Sequence, residues 1–343
     1  MKKALTVIGA VLGVAALAAI PFIVGVDTTF QAIRRVGWAG LLAFVGNASL
    51  VLLAPGTGWW IIMRGEGIKA SLVQTLRAVL MGFPVNMLTP SAQLGAEPLK
   101  TVYLARVTGA PKRQVLATII VSKLQEIVGL VAAALVAVAL LAWRAEIAQS
   151  QRLWMGIAVG AAALAVAIAM TAFCLNAQPT VKLINAVACL GFARRRLARL
   201  RHHAREMETM IHACFVHRPG RFLVAQAITL VSAASNFLRP WLYLHVIGIP
   251  VGAEHLAGIF LVTNGINLIA FTPGSVGLFE GGVLGYFAAA GLGKEVGAAY
   301  AMVNRVADVT LIVLGGWLIV QAGLMRVARG KEESSQSPVN RTE

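Results

Sequence analysis

Acidic side chains are the scarcest chemistry in this chain. Aspartate and glutamate number 14 against 30 lysines and arginines, and Asp27 and Asp308 are the only aspartates. An Asp-x-Asp metal site of the glycosyltransferase kind is therefore excluded, and the histidines form no His-Glu-x-x-His zinc motif. Cysteine is nearly absent: Cys174, Cys189 and Cys214 have neither the even count nor the close spacing of a disulfide framework or a zinc site. No Walker motif is present to hold a nucleotide. Charge of either sign is sparse, at 13% of residues against 58% apolar, and mean hydropathy is +0.77. That leaves too little polar surface to cover a soluble globule of 343 residues. The chain belongs in a bilayer. Its net charge of +16 would suggest nucleic acid in a soluble protein, but here it lies mostly in short loops, so no nucleic-acid partner is expected.

Apolar stretches of about 20 residues, the length that crosses a bilayer, predict six full spans at about residues 4–26, 39–62, 115–141, 153–175, 222–247 and 297–324. Two more, 72–104 and 256–290, are interrupted midway and predict re-entrant or broken helical hairpins. The interruption is a repeated element. Asn86 to Glu97 reads NMLTPSAQLGAE and Asn267 to Glu280 reads NLIAFTPGSVGLFE, both reducing to Asn, Thr-Pro, a small residue, Gly and Glu. Proline removes a backbone donor and disfavours helix on either side of it. Thr89-Pro90 and Thr272-Pro273 therefore mark unwound backbone, which Gly95, Gly274, Gly277, Gly281 and Gly282 allow to turn tightly. Such backbone is tolerated at membrane depth only beside protein or water, so each break is expected to face a cavity.

The repetition extends beyond the breaks. Lys123 and Glu126 (SKLQE) correspond to Arg305 and Asp308 (NRVAD), and WWIIMRGEGI from Trp59 aligns with PWLYLHVIGI from Pro240, displaced throughout by about 181 to 183 residues. Three full crossings in each half would invert the second copy relative to the first. The fold expected is an all-α polytopic membrane protein with inverted repeats, its two breaks approaching each other near the midplane. Its parts are a first repeat with linking span (1–177), a basic amphipathic cytoplasmic segment (178–220), a second repeat (221–330) and a polar tail (331–343) that reads as disordered.

Positive charges set the orientation. Lys2, Lys3, Arg64, Lys69, Arg106, Lys112, Arg113, the arginine-rich stretch 194–205 and Arg326, Arg329 and Lys331 fall on one side, whereas Arg34, Arg35, Arg144, Arg152 and Lys294 face the other. The majority marks the cytoplasmic face of a bacterial inner membrane and puts both termini there. The arginine-rich stretch is expected to lie against anionic headgroups. The first span also has the charged start and small residues of a secretory signal, although its apolar run is longer than the usual signal core.

Glu97, Lys123, Glu126, Glu280, Arg305 and Asp308 lie in or beside apolar spans, where each charge costs on the order of 3 kcal/mol at the bilayer centre unless paired or hydrated. The i, i+3 spacing places Lys123 with Glu126 and Arg305 with Asp308 on one helix face. They read either as internal salt bridges or as pairs whose cation also meets an anionic headgroup, Arg305 bidentately and Lys123 as a point charge. Glu97 and Glu280 follow a glycine at the expected start of a helix, where a carboxylate complements the free N–H groups. The alternative role for them is coupling to protons or to a headgroup amine. Asn86, Thr89, Asn267 and Thr272 either cap the unwound ends or ligate a headgroup. Arg239 has no charged counterpart in the first half and no role in this scheme. Gly274-Ser275-Val276-Gly277 has some likeness to a serine-protease turn, but neither His245 nor His255 is assignable as its base.

The paired Asn, Thr-Pro-Gly and Glu elements, the basic-x-x-acidic pairs and the six-plus-two layout resemble the transmembrane region of lysylphosphatidylglycerol synthetases, the flippase part of those bifunctional proteins. The likeness covers roughly residues 4–329 and is most specific in TPGSVGLFEGG, Thr272 to Gly282; TPSAQLGAE departs from the usual glycine pair. Stand-alone relatives include a hopanoid-biosynthesis-associated membrane protein implicated in hopanoid transport. The resemblance implies translocation of a lipid (phospholipid, aminoacylated phospholipid or hopanoid-type) between leaflets or towards the envelope, with the substrate between the hairpins. It implies no lipid synthesis, since no aminoacyl-transferase domain follows the last span. The expected protein is thus a non-enzymatic transporter without cofactor or metal, partnered by membrane lipids with anionic headgroups and by a candidate lipid-biosynthesis enzyme. The alternatives are a non-transporting accessory or scaffold subunit of a lipid-biosynthesis complex and a membrane-embedded lipid-linked transferase.

Overall fold

The computed structural model describes residues 26–89, 94–142, 149–189, 194–269 and 273–335. Among them the chain forms eleven α-helices and one short 3-10 turn: α1 Val26–Gly65, α2 Leu72–Leu88, α3 Glu97–Thr108, α4 Lys112–Ala142, α5 Gln149–Cys174, α6 Pro179–Cys189, α7 Arg194–Val216, α8 Pro219–Val246, α9 Ala253–Ile269, α10 Leu278–Ala289 and α11 Lys294–Ser335, with the 3-10 turn at Pro273–Ser275 before α10. The protein is an all-α, multi-pass membrane protein. Five segments are long and apolar enough to cross: Val36–Gly65, Lys112–Ala142, Leu153–Cys174, Pro219–Val246 and Lys294–Gly323. They match five of the six expected spans to within three residues at either end. The sixth, residues 4–26, and with it the signal-like reading, lies outside the described residues. Most of the expected tail (336–343) does too, while α11 runs on to Ser335.

The two broken stretches become two hairpins of equal dimensions. Each has a 17-residue helix, an unwound turn and a 12-residue helix: α2 with α3, and α9 with α10. At about 1.5 Å per residue these arms are about 26 and 18 Å long, short of a hydrocarbon core of about 30 Å. Local chemistry sets their ends. Ser71 and Gln74 form a reciprocal capping box at the start of α2, each side chain accepting the other's backbone N–H at 3.1 and 2.9 Å. The second turn is left-handed at Gly274 (φ 61°), Ser275 (φ 56°) and Gly277 (φ 84°), the last of which is open to glycine far more readily than to any other residue. Gly281 and Gly282, expected in the break, sit instead inside α10; Gly282 serves the close packing of α10 on α9, where a Cβ would meet Ile266 Cδ1 at 2.1 Å. The turns of the two hairpins approach each other, a Cβ built on Gly274 lying 3.6 Å from the Met87 carbonyl oxygen.

Packing follows the logic of membrane bundles, in which small residues let helices approach closely and van der Waals contact drives association. α1 packs most extensively on α8, and α11 packs on α1, α2 and α10. Phe44 of α1, Tyr243 of α8 and Tyr300 of α11 form a buried aromatic knot with edge contacts at 5.3 to 6.4 Å, and Phe287 of α10 stacks on Tyr300 at 5.7 Å. Trp59 is fixed by its Nε1 donating to Thr118 Oγ1 at 3.0 Å.

The segment expected to lie on the headgroups is helical. α7 docks on the end of the bundle through Ile211, Cys214 and Phe215, while Arg201 and Arg205 stay exposed. Burial, with the Glu66 carboxylate beside it, pushes the Cys214 thiol well above its ordinary pKa. Glu208 is buried and accepts the Thr180 N–H at the start of α6.

The α11–α2 contact generates a stability prediction. A Cβ at Gly315 would lie 2.1 Å from the Leu80 carbonyl oxygen, which as backbone cannot swing aside, whereas one at Gly316 meets nothing within 4 Å. Gly315→Ala is expected to cost roughly 1–3 kcal/mol and lower the melting temperature in detergent, with Gly316→Ala unaffected.

Candidate functional site

A cavity of about 520 Å³ opens where α1, α2, α4, α8, α9 and α11 converge beside both hairpin turns. Its walls are apolar at Leu52, Phe83, Phe260 and Phe279 and charged at Glu97, Lys100, Lys123, Glu126, Arg239, Arg305 and Asp308. Of the residues expected to form the site, Asn86, Thr89, Glu97, Lys123, Glu126, Asn267, Arg305 and Asp308 all line it, as does Gly274. Glu280 joins through Arg305. Gly95 forms part of the first turn, whereas Pro90 and Thr272 lie outside the described residues.

The two halves solve the same charge problem in the same way. Glu97 opens α3, and its Oε1 accepts from Lys100 Nζ at 3.2 Å and lies 3.9 Å from Lys123 Nζ; Lys123 in turn donates to Glu126 Oε2 at 2.7 Å. Glu280 sits at the third position of α10, where its Oε2 accepts the Gly277 N–H at 2.7 Å and its Oε1 accepts from Arg305 Nε at 2.6 Å. Arg305 Nη1 also donates to the Gly274 carbonyl at 2.8 Å and lies 3.6 Å from Asp308 Oδ2. Its guanidinium lies over the Phe279 ring, 5.1 Å from the centroid. In each half, then, the hairpin glutamate is tied to the cation of the following span. The i, i+3 pair is tight in the first half and loose in the second, where Glu280 is the closer partner of Arg305.

The asparagines pin the turns. Asn86 Oδ1 accepts the Ala96 N–H at 2.8 Å across the first break, and Asn267 Oδ1 accepts from Ser275 Oγ at 3.1 Å across the second. Asn86 therefore caps an amide rather than a carbonyl. Thr89 Oγ1 donates to the Val85 carbonyl at the end of α2. Ser275 lines the cavity but neither His245 nor His255 does, and His245 stacks on Trp241. Among the described residues no cluster of three His, Cys, Asp or Glu could hold a metal ion.

Two cavity cations were given no place in the site read from the sequence: Lys100 was not singled out, and Arg239 was noted without a role. Lys100 was signalled only by its place three residues after Glu97 on one helix face, and Arg239 by being a base inside an apolar span. Arg239 Nε donates to Asn47 Oδ1 at 2.9 Å. Two buried polar atoms in the lining, Glu97 Oε2 and Arg305 Nη2, have no hydrogen-bond partner. A second, apolar groove of about 250 Å³ runs along α4 between Leu94, Leu116, Ile120 and Leu124 and shares Glu97 and Lys123 with the cavity. A polar chamber with a greasy side channel suits an amphiphile.

Residues 7–316 match the model of a protein family described as the lysylphosphatidylglycerol synthase TM region. The chain belongs to that family. It is similar to two proteins of Methanothermobacter thermautotrophicus, each named a UPF0104 membrane protein. One is 23% identical, covering 92% of this chain and 93% of the relative; the other is 26% identical, covering 87% and 88%. No solved structure matches the chain.

Breaking a buried pair strands its partner. Glu280→Ala leaves the nearly buried Arg305 without its closest carboxylate and is expected to cost about 3–5 kcal/mol. Glu126→Ala removes a side chain that is 34% exposed and is expected to cost about 0–1 kcal/mol. Thermal unfolding of the two variants in detergent checks the difference.

Proposed function

We propose that this member of the lysylphosphatidylglycerol synthase TM-region family is a lipid transporter that moves a headgroup between leaflets through the central cavity. The observation that carries the reading is the junction itself: two unwound hairpin turns, tied by buried ion pairs, lining a charged chamber that continues into an apolar groove. Headgroup chemistry fits the chamber and an acyl or polyisoprenoid chain fits the groove, so neither part of the lipid is stranded in the wrong medium. The duplicated sequence and the equal hairpins support inverted repeats, the arrangement in which alternating access comes from rocking one half against the other. Charge asymmetry of the loops supports a cytoplasmic (inner) membrane location with both termini on the cytoplasmic side.

The ion pairs refine the proposed division of labour. Lys123 and Arg305 are already engaged by carboxylates, so their role is to hold the turns and exchange partners as the cavity opens, with Arg305 Nη2 still offering a donor. Glu97 Oε2, an unused acceptor, is positioned to take a proton, a hydroxyl or a headgroup amine. Phospholipid, aminoacylated phospholipid and hopanoid-type substrates all fall within this reading. No separate catalytic step is required of the residues.

The test is leaflet exchange of fluorescent lipids in vesicles containing the purified, folded protein. Exchange faster than in protein-free vesicles is expected. It should be lost on charge reversal by Arg305→Glu and recovered by the double exchange Glu280→Arg with Arg305→Glu. No acceleration with anionic, aminoacylated or neutral lipid, together with a co-purifying lipid-biosynthesis enzyme, would instead favour the accessory-subunit reading.

A further inference from the structure

We infer that Arg239 is the anion-recognition residue of the cavity, taking the oxyanion of a phosphate group through its two free Nη groups and thereby setting a preference for anionic over neutral amphiphiles. The inference rests on the reading of the cavity as a lipid path and names the chemistry that path selects. Four cations line the chamber. Three are neutralised at contact distance: Lys100 by Glu97, Lys123 by Glu126 and Glu97, and Arg305 by Glu280 and Asp308. Among the described residues no carboxylate lies within 4.0 Å of the Arg239 guanidinium, although it sits half-buried on the cavity wall.

The guanidinium is held for use rather than left over. Its Nε donates to Asn47 Oδ1 at 2.9 Å. Asn47 cannot flip without loss, because its Nδ2 donates to both the backbone carbonyl and the hydroxyl of Ser235, at 3.1 and 2.8 Å. The Phe44 ring lies beneath at 6.0 Å from Arg239 Cζ, and Phe44 is itself locked in the aromatic knot. One edge of the fork is thus committed, and the Nη pair of this cavity-lining arginine makes no hydrogen bond among the described residues, leaving the donors that match two phosphate oxygens. A second donor waits on the same chamber: Arg305, 6% exposed, leaves Nη2 buried and unpartnered. Asp308 lies 3.6 Å from Arg305 Nη1, whereas Arg239 has no carboxylate at contact distance among the described residues, so at Arg239 an arriving phosphate displaces no made ion pair. Neither Arg239 nor Asn47 is part of the repeated pattern, so this recognition is a property of one face of the cavity only.

The experiment compares wild type, Arg239→Gln and Arg239→Lys in vesicles, measuring exchange of phosphatidylglycerol and of a neutral diacylglycerol. The ratio of the two rates is expected to fall about 10- to 100-fold in Arg239→Gln, the loss of one charge-assisted contact, with Arg239→Lys in between because a point charge replaces the fork. Both rates falling together, with the ratio intact, would mark Arg239 as structural and overturn the inference. Asn47→Asp, which gives Nε a carboxylate in place, must abolish the preference even if Arg239→Gln misfolds; an unchanged ratio there would also overturn it. A binding arm separates this from the transport reading: inorganic phosphate is titrated into detergent-solubilised protein by calorimetry. Wild type that exchanges no lipid yet binds phosphate, with loss in Arg239→Gln, would sustain the anion site as one for free phosphate and sink the transport reading alone. Neither exchange nor phosphate binding in the folded wild type would overturn both.

Discussion

A charge inside a bilayer must find an opposite charge or water, and this architecture is organised around meeting that demand twice. Each hairpin turn places a nearly buried glutamate at the start of its second helix, and each following span offers a cation to take it. The pairing does three things at once. It neutralises the carboxylate, it fixes the end of an unwound turn that lacks its own backbone ladder, and it sets the wall of a chamber between the halves. Removing the pairing removes the reason for the turns to stay where they are.

The equivalence of the halves is not complete, and the differences all bear on the cavity. Arg305 is nearly fully buried and reaches four groups: Glu280, the Gly274 carbonyl, Asp308 and the Phe279 face. Lys123 is more accessible and shares Glu97 with Lys100, a residue without a charged counterpart in the second half. Arg239 and Asn47 add a further cation and its clamp on the α1–α8 side. The duplicated parts therefore build the frame, while the unduplicated polar residues give the chamber its electrostatic direction. The chain's membership of the lysylphosphatidylglycerol synthase TM-region family covers residues 7–316 and so takes in both hairpins and the spans around them.

The fold was largely legible because hydropathy and proline are strong signals in a membrane chain. Spans are marked by length alone, and Thr-Pro followed by glycine marked both breaks, so the described helices fall where apolar runs and their interruptions put them. The site was legible where it repeats: Asn86 and Asn267, Glu97 and Glu280, and Lys123 and Arg305 stood out by recurrence. What recurrence cannot show is partner choice. The i, i+3 spacing pointed Arg305 to Asp308, yet Glu280 is closer because the α10 turn delivers its carboxylate to the guanidinium, a tertiary contact with no local signature. Lys100 and Arg239 occur once, so repetition was blind to them. Gly281 read as part of the break because it follows the motif, whereas the helix had already begun at Leu278.

Transport by alternating access requires the two hairpin turns to move relative to each other around a bound headgroup. Spin labels at Leu94 and Leu278, both exposed beside the turns, would report that distance by electron–electron double resonance in lipid nanodiscs. Two distance populations are expected, their ratio shifting when an anionic lipid replaces a neutral one. A single distance, indifferent to lipid, would mean a static frame and would contradict transport by alternating access.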